Sequence, residues 1–198
     1  MWRNERRFPA IQVGALVGAA LLLSGCGGFG RVEQGRVVAW DAREGVVTLI
    51  LDSNFRDPER PKYDVLPPVT VRVPKDASQM GPAPVSGRLV ELDVAASRAV
   101  VYDAAGHSLK TVSFTLIEKV DNVPPEDTRV TRGRLPAIEH GKNIIRLYWD
   151  KGQQIVTIFV AGGAVSADDW RTGDEVRYYF KHPGQALRMM NVTRTKLL

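Results

Sequence analysis

The stretch GRVVAWDAREGVVTLIL, residues 35–51, decides the fold class. Valine, leucine, isoleucine and tryptophan dominate its two arms, residues 35–40 and 46–51, and such side chains fit the pleated surface of a β-sheet. The polar segment between the arms ends in Gly45, which is typical of a hairpin turn. The stretch therefore predicts an antiparallel hairpin and an all-β fold.

A second stretch, GRLPAIEHGKNIIRLYWD at residues 133–150, aligns with residues 35–52 without a gap. Glycine, arginine, alanine, leucine and aspartate coincide, and weaker correspondences follow in the same order along the chain. We infer an internal duplication. It divides the chain into a first β unit at residues 35–120, a linker rich in proline and acids at residues 121–129, and a second β unit at residues 130–198.

Each unit is predicted to hold five strands with a short helical turn between the third and the fourth. In the second unit Ser166 is placed to cap that turn. This element order is that of a small OB-like barrel, so we predict two tandem antiparallel OB-like barrels, with a β-sandwich of the same strands as the alternative. In the first unit residues 53–68 are predicted to form a long loop, and the alternation of residues 108–118 predicts one additional strand.

The start of the chain has the order of a secretory signal. Three arginines precede an uncharged apolar run from Phe8 to Leu23, which is shorter than the roughly 20 residues of a spanning helix. Small residues and then Cys26, the only cysteine in the sequence, follow that run. Residues 1–25 are therefore predicted to be a cleaved signal peptide, and residues 26–34, which are rich in glycine, a flexible tether.

The segment Leu23-Ser24-Gly25-Cys26 resembles the lipobox of bacterial lipoproteins. The resemblance implies cleavage between Gly25 and Cys26, a diacylglyceryl group on the Cys26 thiol, and an N-acyl chain such as palmitate on the new amino terminus. Two or three acyl chains hold a protein stably on a membrane, whereas one does so marginally. Because Gly27 and not aspartate follows the cysteine, the resemblance also implies the outer membrane, facing the periplasm. An ordinary signal with a chance cysteine is the alternative interpretation.

Three segments of the remaining chain are similar to a family of short, uncharacterised lipoproteins from sulfate-reducing bacteria: residues 61–68, 80–82 and 183–191. This similarity implies no activity. Loss of residues 1–25 would remove three arginines and one glutamate and would lower the formal net charge from +5 to +3. The small basic excess and the predicted export both argue against nucleic acid as a partner.

Motifs that name a reaction are absent from the sequence. The three histidines, His107, His140 and His182, each lie beside a predicted turn, and no zinc or haem spacing and no nucleophile elbow occurs. We therefore predict a protein without a metal or other cofactor, apart from the lipid on Cys26, and without catalytic residues. A hydrolase with an unrecognised site is an alternative.

Strand alternation in the second unit predicts a candidate ligand face. If residues 145, 147 and 149 face the core, Arg146 and Tyr148 share the outer side, and the same argument places Arg177 and Tyr179 outward. Arginines contact anions and aromatic rings stack on sugars, so these four residues predict a periplasmic glycan- or anion-binding module. The alternatives are a solvated sheet face and an accessory component of an envelope protein complex, anchored to membrane lipid through Cys26.

Overall fold

The structure is a computed structural model and describes residues 29–139, 141–162 and 166–195. The predictions on the signal peptide, Gly25, Cys26 and His140 lie outside the described residues.

The described residues form twelve β-strands and only short helical segments. The helical segments are one turn of α-helix, α1 (Thr128–Thr131), and the 3-10 turns Ala77–Gln79 and Ala167–Trp170. The prediction of an all-β fold is therefore confirmed. The strands are β1 (Arg31–Asp41), β2 (Val46–Asp52), β3 (Tyr63–Arg72), β4 (Leu89–Asp93), β5 (Arg98–Asp103), β6 (Ser108–Ser113), β7 (Thr115–Val120), β8 (Ala137–Glu139), β9 (Ile144–Trp149), β10 (Gln154–Phe159), β11 (Glu175–Phe180) and β12 (Arg188–Asn191).

The strands form three antiparallel sheets. The five-stranded sheet has the order β12-β11-β1-β2-β3, the four-stranded sheet β7-β10-β9-β8, and the three-stranded sheet β4-β5-β6. An isolated bridge between Arg72 and Gln185 joins the β3 edge to the segment before β12, without a continuous closing ladder. In the described ranges no sheet closes into a barrel. The sandwich alternative therefore fits the sheets, and the duplication stays a prediction.

The three-stranded sheet is the middle layer of the molecule. One of its faces packs against the four-stranded sheet, for example Leu89 against Ile145. Val90 and Tyr102 belong to a separate core with Ile50 of the five-stranded sheet. A third core lies on the other face of the five-stranded sheet and holds buried side chains from all five of its strands. Burial of these apolar side chains supplies the main driving force for folding.

Local predictions with a clear residue pattern are confirmed. β1 and β2 form the hairpin, and Gly45 in its turn has a φ of 62°, which glycine adopts at little cost. The Ser166 hydroxyl accepts a hydrogen bond from the Asp168 N–H at 3.3 Å and caps the Ala167–Trp170 turn. Alternate residues of β9 and β11 are buried as expected.

Two predictions of strand limits are wrong. The loop after β2 ends at residue 62, because β3 begins at Tyr63, whose side chain is buried. Residues 108–118 form two strands, β6 and β7, which belong to different sheets. Phe114 lies at the break, is buried in the core around Leu89 and donates its N–H to the Ser97 carbonyl. The break between the two strands allows Phe114 to pack in this core. The apolar alternation of residues 108–118 continues across the break, so the pattern gives no sign of the break.

The sheets cross the predicted linker at residues 121–129. β1 pairs with β11, and β7 pairs with β10. Where the two halves meet, a Cβ on Gly173 would lie 1.9 Å from the Val37 carbonyl oxygen, and one on Gly87 would lie 2.2 Å from the Arg171 carbonyl oxygen. Val37 also donates its N–H to the Asp174 carbonyl at 2.9 Å. Close backbone approach at the two glycines therefore joins the halves.

We expect Gly173→Ala to lower the free energy of unfolding by about 1–3 kcal/mol, because the added methyl group must displace the backbone at Val37. Gly106→Ala is the matched control, since its methyl group would meet only side-chain ends, those of Asp103 at 2.9 Å and Ser108 at 3.2 Å, and no backbone atom within that range. Urea unfolding of both variants measures the difference. Equal stability of the two variants would contradict the close approach at residue 173.

Candidate functional site

A cavity of about 1090 Å³ lies beside the start of β11 and the turn between β9 and β10. Its wall combines four cationic and four acidic side chains with several prolines. Because the formal charges balance in number, the partner of each charged group decides what the cavity can bind.

Two of the four cations are neutralised by carboxylates. Arg194 Nε lies 2.7 Å from Asp174 Oδ2, and Arg171 NH1 lies 3.1 Å from Asp168 Oδ1. The buried Asp174 carboxylate also accepts a hydrogen bond from the Asn191 side-chain amide at 2.8 Å. These groups are occupied by structural contacts.

Arg36 is a buried guanidinium without an acidic partner. The residue is 3% exposed, NH1 donates to the Gly173 carbonyl at 3.0 Å, and Nε has no hydrogen-bond acceptor. Its guanidinium carbon lies 4.4 Å from the centroid of the Tyr63 ring, a cation–π contact. In the part of the chain that the structure describes, no carboxylate lies within ion-pairing distance of it. A buried charge left in this state is costly.

Lys151 brings a second positive charge to the same aromatic ring. It lies in the β9–β10 turn, and its Nζ is 5.2 Å from the Tyr63 centroid. Although the residue as a whole is exposed, partial desolvation of the amino group, followed by the charge of Arg36, lowers the pKa of Lys151. Among the described residues Lys151 has no ion pair either. Two cations therefore meet at this wall without forming an ion pair to the described carboxylates, although Asp150 and Glu175 line the same wall.

The Tyr63 hydroxyl donates a hydrogen bond to the Glu175 carboxylate. Burial of the hydroxyl raises the pKa of Tyr63 above its usual range, so it stays protonated and remains a donor near neutral pH. The ring therefore connects two cations with one acid. Such a wall can hold an anionic group of a ligand beside Arg36 and Lys151. An acidic side chain of the wall can accept a hydrogen bond from a hydroxyl group of the same ligand.

The four residues of the predicted ligand face lie in two different sheets. Arg146 is exposed and Tyr148 half-buried on β9, in the four-stranded sheet, whereas Arg177 and Tyr179 are half-buried on β11, in the five-stranded sheet. Of the four, Tyr148 lines the cavity, and its hydroxyl donates to the Val123 carbonyl at 3.0 Å. Arg146 and Tyr148 therefore share one strand and Arg177 and Tyr179 another, but the two pairs do not form a single face.

Arg177 and Tyr179 line a second cleft, of about 560 Å³. Arg177 donates from Nε and NH2 to the Gln34 side-chain oxygen at 2.9 and 2.6 Å. The Tyr179 hydroxyl accepts a hydrogen bond from the Gly30 N–H at 3.2 Å. Gln34 is buried and donates in turn to the Asp52 carboxylate at 3.3 Å.

The two described histidines lie away from the cavity wall. His107 Nδ1 is 3.1 Å from the Tyr102 hydroxyl, and His182 is exposed in a turn. Within residues 29–139, 141–162 and 166–195 no group of three or more histidine, cysteine or acidic side chains could hold a metal ion. The same ranges contain no helix with the length and apolar character needed to cross a membrane.

The model of one protein family matches residues 28–198, which include every described strand and both cavities. The chain belongs to this family. It is described as a domain of unknown function, DUF4881. Comparisons with curated proteins and with solved structures give no significant match. Membership of the DUF4881 family therefore assigns no reaction and no ligand.

No pattern in the sequence groups Arg36, Tyr63, Lys151 and Glu175 into one site. One signal was present, because Arg36 interrupts an apolar arm of the first hairpin, where a charge is unexpected. The other three residues lie at the ends of strands or in a turn, where charged and aromatic side chains are common. Strand pairing in the five-stranded sheet brings Arg36 and Glu175 together, and packing of the β9–β10 turn against that sheet adds Lys151.

We expect Tyr63→Phe to lower the free energy of unfolding by about 1–2 kcal/mol, because Glu175 loses its donor while the ring stays beside Arg36. Tyr179→Phe is the control, since its hydroxyl only accepts a bond at the start of the described chain. Urea unfolding near neutral pH compares the two variants. The proposed contact is refuted if Tyr63→Phe is as stable as the parent chain.

Proposed function

We propose that this chain is a lipid-anchored, non-catalytic protein of the bacterial cell envelope that binds an anionic ligand in the cavity beside Arg36 and Lys151. The observation that carries the binding role is that two cations share the Tyr63 ring and form no ion pair among the described residues. The proposed location is the outer membrane, facing the periplasm.

The composition of the cavity wall favours an anionic sugar as the ligand class. A guanidinium and an ammonium group both bind carboxylate and phosphate oxygens with charge-assisted hydrogen bonds. The acidic side chains of Asp150 and Glu175 disfavour a ligand of high negative charge but can accept hydrogen bonds from hydroxyl groups. Tyr148 adds an aromatic surface of the kind on which sugar rings stack. One anionic group on a hydroxyl-rich ring matches this combination.

Binding is proposed in preference to catalysis because of the state of Tyr63. Its hydroxyl donates to Glu175, and burial raises the pKa of Tyr63, which opposes its use as a nucleophile. A second candidate function is an accessory subunit of an envelope protein complex. The exposed Leu116 and Ile117 on the edge strand β7 favour it, because apolar side chains on an open sheet edge are typical of interaction surfaces.

The lipid anchor is tested by fatty-acid labelling in a bacterial host. We expect the parent chain to incorporate a clickable palmitate analogue and Cys26→Ala to incorporate none, because the thiol and the new amino terminus of Cys26 are the proposed acceptors. Ser24→Ala is the matched control and should keep the label, since alanine is also small. Label on Cys26→Ala equal to the parent would establish an ordinary signal with a chance cysteine.

Ligand binding is tested with glucuronate as the probe. We expect Lys151→Gln to weaken binding about tenfold at neutral pH, because one charge-assisted hydrogen bond is lost. Since the pKa of Lys151 lies below its usual value, affinity should fall as the pH rises through that lowered pKa and the amino group loses its charge. Lys151→Arg should remove this pH dependence, because arginine stays protonated. Isothermal titration calorimetry measures each affinity.

Lys75→Gln is the matched control for the change in net charge. Lys75 is exposed and outside the cavity wall, so this variant should bind like the parent chain. Equal weakening in Lys75→Gln and Lys151→Gln would mean that the effect comes from overall charge. Absence of saturable binding by the parent chain would remove the anionic sugar as ligand.

A further inference from the structure

An exposed surface next to the start of the described chain is both apolar and basic. The Phe29 side chain is 95% exposed, and Val32 and Leu187 are each 44% exposed. Arg188 is exposed in the same cleft as Val32 and Leu187, whereas Arg31 is exposed next to Val32 along β1, on the other side of the strand. We call this surface the basic apolar face, and it consists of Phe29, Val32, Tyr179, Leu187 and Arg188.

Strand register holds most of this face together. Val32 of β1 is opposite Tyr179 of β11, and Tyr179 is opposite Arg188 of β12, so the three side chains form one row on one side of the sheet. Leu187 donates its N–H to the Tyr179 carbonyl at 2.8 Å. The row lines the cleft of about 560 Å³ together with Leu187 and Met190. The face is therefore built on strands and on a fixed turn.

The arginines of this region form no ion pair among the described residues. Arg188 Nε donates to the Gln79 side-chain oxygen at 3.0 Å, and Arg177 in the cleft wall donates to the Gln34 side-chain oxygen. Both partners are neutral amides. Arg31, like these two arginines, takes part in no ion pair within the part of the chain described. Arginines without an ion pair around apolar side chains match a surface of anionic headgroups over acyl chains.

The chain enters the fold at this face. The Gly30 N–H donates to the Tyr179 hydroxyl at 3.2 Å, which fixes the start of the described chain at the row. Cys26 precedes Gly30 by four residues, and four fully extended residues span at most about 14 Å. A lipid on Cys26 would therefore hold the basic apolar face close to the bilayer.

We propose that the basic apolar face docks onto the lipid surface, with Phe29 and Leu187 at the level of the headgroups and the arginines against lipid phosphates. The proposal rests on the lipid anchor of the proposed function and is independent of the cavity ligand. Docking turns a flexible attachment into a fixed orientation of the body on the membrane. The arginines and the exposed apolar side chains act together, since neither group alone would bind the face strongly to the membrane.

The test uses the lipidated chain in vesicles of phosphatidylglycerol and phosphatidylethanolamine that contain nitroxide-labelled lipid. Because the proposed lipid blocks the only native thiol, Leu187→Cys gives one fluorophore site on the face, and Ile117→Cys gives a matched site on an exposed aliphatic residue of β7 in another sheet. We expect at least twofold quenching of the label at position 187 and little at position 117. Arg188→Gln should reduce the quenching in these vesicles but not in vesicles of neutral lipid.

The possible results separate the two proposals. A chain that floats with the vesicles but shows equal quenching at both positions, or none, overturns docking and leaves the anchor intact. A chain that fails to float with vesicles overturns the anchor, and docking with it. Protection of the label at position 187 by an envelope protein, without quenching by lipid, would assign the face to a protein partner and would also overturn docking.

Discussion

The pairing of β1 on both of its edges is the constraint on which the rest of the structure depends. β1 pairs with β2, its neighbour in sequence, and with β11 from the far end of the chain. A register shift after Val37 allows both Val37 and Val38 to be buried, one in each core beside the five-stranded sheet. The same strand approaches the Gly87 and Gly173 backbones. A change in β1 therefore affects two sheets and two cores.

Central pairing also explains how Arg36 becomes buried. β1 is paired on both of its edges, and the middle of the strand lies against the middle sheet, so the side chains there lose contact with water. Gln34 and Arg36 lie in that part of β1, and both are almost fully buried. Gln34 is satisfied by Arg177 and Asp52, whereas Arg36 keeps an Nε without an acceptor. Buried polar groups in a stable core normally have a hydrogen-bond partner, and those that lack one are concentrated at functional sites.

The sequence predicts what local patterns control. Alternation and a turn glycine predict the first hairpin, the side chain of Ser166 predicts its capped turn, and periodicity predicts the buried sides of β9 and β11. It does not predict which strands become neighbours, because pairing depends on contacts between distant residues. For that reason the candidate ligand face separates into two sheets, and the cavity cluster is not found. The break between β6 and β7 at Phe114 is not predicted for a related reason. Phe114 is buried at a position where a continuous strand with the same alternation would also bury a side chain.

One side of β1 connects the two surfaces to which we assign roles. Val32 lies in the exposed cleft, Gln34 is buried two residues on, and Arg36 lines the cavity after two more. Four residues of strand span about 13 Å. The Gln34 side chain between them accepts from Arg177 of the cleft wall and donates to Asp52, so it holds the cleft end of this backbone segment in place. Docking of the cleft on a membrane would therefore place the cavity close to the lipid headgroups. Anionic sugars attached to the membrane surface fit both this location of the cavity and the charges of its wall.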